Sequence, residues 1–469
     1  MNSILISATH KSSGKTTVTL GLSAALARRG AHIQTFKKGP DYIDPMWLTR
    51  ASGRPCRNLD FQFMTADQIA CEFVTYGGDA DLAIVEGNKG LFDGVDLEGS
   101  DSNAALGALL GTPIVLVIDT RGITRGIAPL IKGYCDFAED IQIAGVILNQ
   151  VGGPRHEGKM RAALERYTDI PVIGAISRHP EMEIIERHLG LIPANESDHV
   201  EQKIETIADI IEDGVDLGIF GALACTTRTL SSIHPAPKTR PDRNPDIRIA
   251  IARDAAFGFY YPGDLEALED AGAELVSLDT LRDSHLPDVD GLFIGGGFPE
   301  TQVAALSANS SLRDNIKTSL QNGLPAYAEC AGLMYLSRSL TWNEGTFEMV
   351  GFIPGDATMH DKPIGRGYVQ LIETRDAPWP FGHPDGARTP AHEFHYASLD
   401  NLPDDLTCAY KVTRGTGLDG QRDGIILGNT LAGFAHHRNI GADGWARRFV
   451  EFVRQCKHAG GRGKISANA

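Results

Sequence analysis

No CxxC pair occurs among the seven cysteines of this 469-residue chain, and they stand far apart. That spacing excludes a disulfide framework or a cysteine-based zinc site as the organising feature. No apolar run is long enough to span a bilayer. The first residues (SILISA) open a strand, with no cationic and apolar leader ahead of them. Basic residues are in deficit: 44 Lys and Arg against 60 Asp and Glu leave a net charge of −16. Nucleic-acid and anionic-membrane surfaces need clustered cations, so neither partner is expected. No internal repeat longer than a βα unit is present. What remains is an ordinary soluble composition, 42% hydrophobic and 22% charged, in a chain long enough for two or three domains. A cytoplasmic, reducing location is expected.

The apolar run at residues 3–8 leads into ATHKSSGKTT and then VTLGLSAALARRG, whose apolar residues recur at helical spacing. This is strand, loop, helix. Ser13, Gly14, Lys15, Thr16 and Thr17 form the core of a Walker A loop. Backbone N–H groups at a helix N-terminus hold phosphates, Lys15 neutralises them, and the Thr16 hydroxyl can ligate Mg²⁺. The strict pattern wants glycine where Thr9 stands, so the loop resembles the looser one of dethiobiotin synthetase.

Further strands alternate with helices: AHIQTF, DLAIVEG, PIVLVID, AGVILNQVGG and PVIGAI. The alternation implies a mostly parallel sheet, with ligands at the carboxyl ends of its strands. Lys15, Asp41, Asp44, Glu86, Asp93, Asp119 and Asn149 all fall at or just past such ends. Asp119 is equally readable as a helix cap. The segment FKKGPDYIDP (36–45) puts two lysines before two carboxylates, and its Gly-Pro and Asp-Pro steps predict a shaped loop rather than a helix. Lysines suit phosphate oxygens and carboxylates suit Mg²⁺.

A Pro-, Ser-, Thr- and Arg-rich stretch at 226–246 reads as a linker between residues 1–225 and a second α/β domain over 247–456. Residues 457–469 read as a flexible tail. In the second domain LPAYAECAGLMYL is strand, sharp turn, helix, with Cys330 at the turn. Such an elbow exposes a thiol at a helix N-terminus. His436 or His437, in NTLAGFAHHRN, is placed to be its base. The backbone of Gly296, Gly297 and Ala331 offers an oxyanion hole.

Taken together, KKGPDYIDP, EGNKGLFDG (86–94), ARDAAFGFYYP (252–262), GGGFPE (295–300), AECAGLMYL (328–336) and HEFHY (392–396) resemble the cobyrinic acid a,c-diamide synthase family over about residues 3–455. The resemblance implies an α/β fold in two parts: a dethiobiotin-synthetase-like P-loop domain and a class I glutamine amidotransferase domain. It implies a ligase that uses ATP, Mg²⁺ and glutamine to amidate the a and c acetates of cobyrinic or hydrogenobyrinic acid through an acyl phosphate, in cobalamin biosynthesis. Cys330 matches the glutaminase nucleophile and His436 its base. The acidic third member is implied to be lacking, with Arg438 where related glutaminases carry glutamate. Thr16, Asp41 and Glu86 match metal-handling positions, and Asn149 an adenine contact. Lys37, Tyr42, Ile43, Asp44, Asn88 and Asp93 match acceptor or regioselectivity positions. The partners implied are glutamine and a polycarboxylate tetrapyrrole, with homo-oligomerisation an option.

Departures occur at Asn88 and Lys89, at Ala331, and across FAHHRN. They leave sirohaem open as an alternative acceptor. A P-loop ATPase switch without amidation is the remote alternative. It gives the elbow cysteine nothing to do, and the signature lysine it needs would stand where His10 does.

Overall fold

The computed structural model describes residues 1–184, 186–187, 190–196, 199–224, 244–382, 386–441 and 444–465. The chain divides into two compact units, Met1–Lys238 and Thr239–Ala469. The expected linker lies, as far as residue 243, outside the described residues.

In the first unit seven strands form one parallel sheet: β1 (Ser3–Ala8), β2 (Ile33–Lys38), β3 (Arg57–Leu59), β4 (Leu82–Glu86), β5 (Ile114–Asp119), β6 (Ile143–Val151) and β7 (Val172–Ser177). Their spatial order is β3-β2-β4-β1-β5-β6-β7. Every residue of β1, β2 and β4 is buried. Burial on both faces is what helices covering both sides of a parallel sheet produce. Each fully buried Ile or Leu contributes roughly 1.5–3 kcal/mol. β1 lies between β4 and β5, so the chain leaves it toward both edges and a crevice opens at its carboxyl end. The 9–14 loop fills that position and runs into helix α1 (Lys15–Arg28).

Residues 36–45 are only partly the loop expected. Helix α2 (Ile43–Ser52) already begins within them. The carboxylate of Asp41 accepts the backbone N–H groups of Ile43 and Asp44 at 2.9 and 3.1 Å, closing the open end of the helix. Pro45 sits in the first turn, where its missing N–H leaves no helical bond unmade.

The second unit is built on a nine-stranded sheet. Five neighbouring strands run parallel: Ala273–Leu278, Ile247–Ala252, Gly291–Ile294, Ala326–Glu329 and Thr430–Gly433. Side chains alternate across it. Ala250, Leu292, Ile294 and Ala328 enter one core cluster, while Ile249, Ile251, Phe293 and Tyr327 enter another. Four antiparallel strands extend the sheet: Arg422–Leu427, Cys408–Arg414, Gly365–Glu373 and Arg388–His395. The final helix, Trp445–Ile465, packs Phe449, Val450 and Val453 on the second cluster. It runs on past Cys456, where the flexible tail was expected to start. Residues 466–469 lie outside the described residues.

Candidate active sites

In the first unit the phosphate-type loop is held by what lies beside it. Gly14 has φ +86°, and a Cβ on it would meet the Asn149 amide nitrogen at 2.3 Å. Only glycine fits. Asn149, at the end of β6, donates that amide to the Ser13 carbonyl at 2.9 Å. The residue expected to touch adenine therefore also fastens the loop. Ser13 turns its hydroxyl to the His10 carbonyl at 2.8 Å, and Thr17 stands in the first turn of α1. Lys15 is buried. Burial pushes its ammonium down to about 8, aided by Lys37 and opposed by Glu86, Asp44 and Asp93.

Beside this loop lies a cluster of buried charges. Lys37 Nζ, at the end of β2, lies 2.5 Å from Asp44 Oδ2, 2.8 Å from Glu86 Oε1 and 3.9 Å from Asp41 Oδ2. Burial opposes the charge on Lys37, but Asp44, Glu86 and Asp41 outweigh it and hold the ammonium well above its usual range. The Thr16 hydroxyl donates to Glu86 Oε1 at 2.6 Å and lies 3.2 Å from Asp44 Oδ2. Burial raises the Glu86 carboxyl against the pull of Lys37. Asp41 rises to about 7, through burial first and Asp44 second, with Lys37 opposing. Of the two carboxylates in 41–44, Asp44 is the one in hydrogen-bonding range of both Lys37 and Thr16, while Asp41 spends one oxygen on α2. Tyr42 and Ile43 are buried where that helix begins.

The 86–94 loop lies next along. Lys38 Nζ donates to Asn88 Oδ1 at 3.1 Å, and Asp93 accepts the Gly90 N–H at 3.0 Å. Asn103 braces the loop through the Gly90 carbonyl at 2.9 Å. A cavity of about 550 Å³, lined by Arg121, Gln150, Gly152, His156 and Arg178 among others, opens at the ends of β5, β6 and β7.

In the second unit Cys330 follows the strand Ala326–Glu329 and precedes the helix Ala331–Leu336. Its φ of +50° is rare for a residue with a side chain and makes the turn from strand to helix a sharp, strained elbow. Its N–H is tied to the Gly433 carbonyl at 2.8 Å. His436 shares an electrostatic contact with Cys330, and its Nδ1 lies 3.4 Å from Glu329 Oε2. Burial alone would suppress the imidazolium; Cys330 and Glu329 overcome it and lift His436 to about 10. The His436 backbone is clamped both ways to His392, at 2.7 and 3.0 Å. A Cβ on Gly296 would lie 2.6 Å from His436 Cε1, so the glycine turn packs directly on the imidazole.

His437 faces elsewhere. Its ring lies 4.9 Å from that of Tyr410, and burial drives it down to about 4. Arg438 stacks over Tyr261 at 5.1 Å. The next residue, Asn439, donates its N–H to buried Asp264 at 2.9 Å. Glu329 is the residue that reading the sequence missed. The one available signal was a charged side chain ending the apolar strand AYAE, immediately before the cysteine. The resemblance implied no acidic third member; the Glu329 carboxylate stands 3.4 Å from His436 Nδ1.

Two family models match in chain order. The CobQ/CobB/MinD/ParA nucleotide binding domain covers residues 4–192, and the CobB/CobQ-like glutamine amidotransferase domain covers residues 248–440. A cobyrinate a,c-diamide synthase from Magnetococcus marinus is 46% identical, over 96% of this chain and 97% of that protein. The chain belongs to the cobyrinate a,c-diamide synthase family. Members from Methanosarcina acetivorans and Archaeoglobus fulgidus are 42% and 38% identical, each over 96% of this chain and over 94% and 96% of their own. Among solved structures, PurLQS from Thermotoga maritima aligns with 45% of this chain and 98% of its own, at 18% identity and a TM-score of 0.35. As a member of this family the chain is a glutamine-dependent, amide-forming ligase with a nucleotide-binding domain.

Proposed function

We propose that this ligase converts the a and c acetate carboxylates of cobyrinate to amides, with ATP as the activating nucleotide and Mg²⁺ as its ion. One observation carries the reading. A single chain of this family holds a phosphate loop beside buried carboxylates and, separately, a thiol–imidazole pair on a strained elbow.

The residues fit a hard cation. Glu86 Oε2 is buried without a hydrogen-bond partner among the described residues. The Thr16 hydroxyl and the Asp44 carboxylate supply further oxygen donors of the kind Mg²⁺ takes. Thr16, Asp44 and Glu86 would hold the ion, with Asp41 outside them. When bound, it neutralises charge on the phosphates. The cavity beside Asn149 suits the nucleoside.

A carboxylate does not react with ammonia at neutral pH, because oxide is a poor leaving group. Lys15 and the loop N–H groups orient the terminal phosphate for attack by the acetate oxygen, and ADP departs. Positioning and charge neutralisation supply most of the rate in such transfers. Ammonia then attacks the acyl carbon and phosphate leaves. In the second unit the Cys330 thiolate attacks the glutamine amide, His436 gives its proton to the departing ammonia, and water hydrolyses the thioester.

The test is Cys330→Ala with cobyrinate, Mg²⁺-ATP and either glutamine or ammonium. Mass spectrometry is expected to show no amidation from glutamine, and one then two carboxyl-to-amide conversions from ammonium. Glutamine-driven product from the variant would remove Cys330 from the mechanism. No product from wild-type protein with either nitrogen source would remove cobyrinate as the acceptor.

A further inference from the structure

Glu329 ends its strand almost fully buried, so its charge must be met inside the protein. Three groups meet it. Tyr327 donates its phenol to Oε1. The His437 backbone N–H donates to the same oxygen at 2.9 Å. The third is His436 Nδ1, 3.4 Å from Oε2. The first two come from rigid surroundings. Tyr327 stacks on Phe293 at 5.2 Å and packs against Trp379 and Trp445. One carboxylate oxygen is thus fully engaged, and the other is left for the imidazole. With Nδ1 turned to Glu329, Nε2 is left for the Cys330 thiol.

We infer that Glu329 is the positioning carboxylate of the glutaminase centre, holding His436 by Nδ1 while Cys330 takes Nε2. The inference rests on the reading of Cys330 and His436 as nucleophile and base. The arrangement is compact because the carboxylate and the nucleophile are consecutive. The strand ends on buried Glu329, and Cys330, next in the chain at φ +50°, interacts with the same imidazole. In the familiar triad the carboxylate comes from a distant part of the chain and does the same two jobs. It selects the tautomer and stabilises the imidazolium that forms, without itself taking the proton. Of the other described groups near His436, His392 and Arg438 supply no negative charge. His392 is a neutral imidazole, driven down to about 3 by burial and by His436 and His395. Arg438 is turned onto Tyr261. Gly296 contributes only backbone.

The consequence concerns where a proton rests. A carboxylate at Nδ1 favours the thiolate–imidazolium pair; without it the proton returns to sulfur. The measurement is the rate of alkylation of Cys330 by iodoacetamide across pH, read on the Cys330 peptide by mass spectrometry in the full-length protein. Glutamine hydrolysis is followed in parallel. In Glu329→Gln the neutral-pH alkylation rate is expected to fall about tenfold or more. The kcat for glutamine hydrolysis is expected to fall about 10²–10⁴-fold, the range for a disabled acid–base group, with KM little changed. Glu329→Asp keeps a carboxylate at the same place and is expected to recover part of both signals. It also carries the test if the glutamine variant does not fold.

Two results would overturn the inference: a Glu329→Gln alkylation profile superimposed on the wild-type one, or an Asp variant no better than the Gln variant. A Cys330→Ala protein that still hydrolyses glutamine is a different failure. It would remove the underlying reading of the centre and is scored separately.

Discussion

Lys37 and Glu86 form a buried ion pair, Nζ to Oε1 at 2.8 Å, and the hydroxyl of Thr16 points at the same carboxylate oxygen. The pair joins the ends of β2 and β4 to the start of α1. One ammonium therefore organises the carboxylates that flank the phosphate loop, and it makes this part of the molecule sensitive to the loss of a single charge.

Lys37→Met is expected to lower stability by about 3–5 kcal/mol, the usual cost of stranding a buried charge. Urea unfolding at pH 7.5 measures it. Glu86 would then lose the ammonium that opposes its burial, and its folded-state pKa, already raised by that burial, would rise further above the unfolded one. A folded state that binds more protons gains stability as pH falls. The deficit is therefore expected to shrink between pH 7.5 and 5.5. A deficit that grows over that range would contradict the assignment.

Nucleotide affinity is expected to depend on pH through Lys15, which burial has pushed down to about 8 in the free protein. Phosphate binding favours the protonated form, so binding is full below that value and lost above it. The Kd for ATP should weaken roughly tenfold per pH unit beyond about pH 8, because only the charged fraction is competent. Equilibrium titration from pH 7 to 9.5 reads the effect. Lys15→Arg keeps its charge throughout, so it should bind more weakly but lose the slope.

The two adjacent histidines are expected to separate cleanly. His436→Asn should reduce glutamine hydrolysis by about 10²–10⁴-fold, as loss of a general acid–base group does. His437 is packed against Tyr410 and presents its backbone, not its ring, to Glu329. His437→Asn should cost roughly 1–3 kcal/mol of stability, as burial of an imperfectly matched polar group does. Glutamine turnover should change far less than in the His436 variant. Parallel kinetics and thermal melts distinguish the two.

Two glycines divide the chemistry between the units. In Gly14→Ala the new Cβ meets Asn149 at 2.3 Å on a backbone at φ +86°. Amidation from both glutamine and ammonium should fail. In Gly296→Ala the Cβ meets His436 Cε1 at 2.6 Å. A displacement near 1 Å at a reacting group costs on the order of 10²-fold, so glutamine-driven turnover should drop by about that much. Amidation measured with both nitrogen sources reports each unit separately.

Much of this protein could be read from order alone. Alternating apolar runs and helical spacings specify parallel α/β units, because strands buried on both faces must be apolar throughout. The loop 13–17 and the elbow at Cys330 are local turns, so their residues stand together in sequence and announce themselves. The antiparallel half of the second sheet was harder to see. Its strands, such as Arg388–His395, are only half buried and alternate between core and solvent, with no dense apolar run.

Tertiary structure alone decided which charges meet. Asp41 and Asp44 look equivalent three residues apart. The start of α2 commits one oxygen of Asp41 to backbone N–H groups and turns Asp44 to Lys37 and Thr16. Glu329 reads as the last residue of a strand until residues more than a hundred positions away bring an imidazole to it. Sequence determined the two folds and their reactive loops, since backbone preference and apolar pattern act over short range. Pairing among buried charges is settled by desolvation, which exists only once distant segments have closed around them.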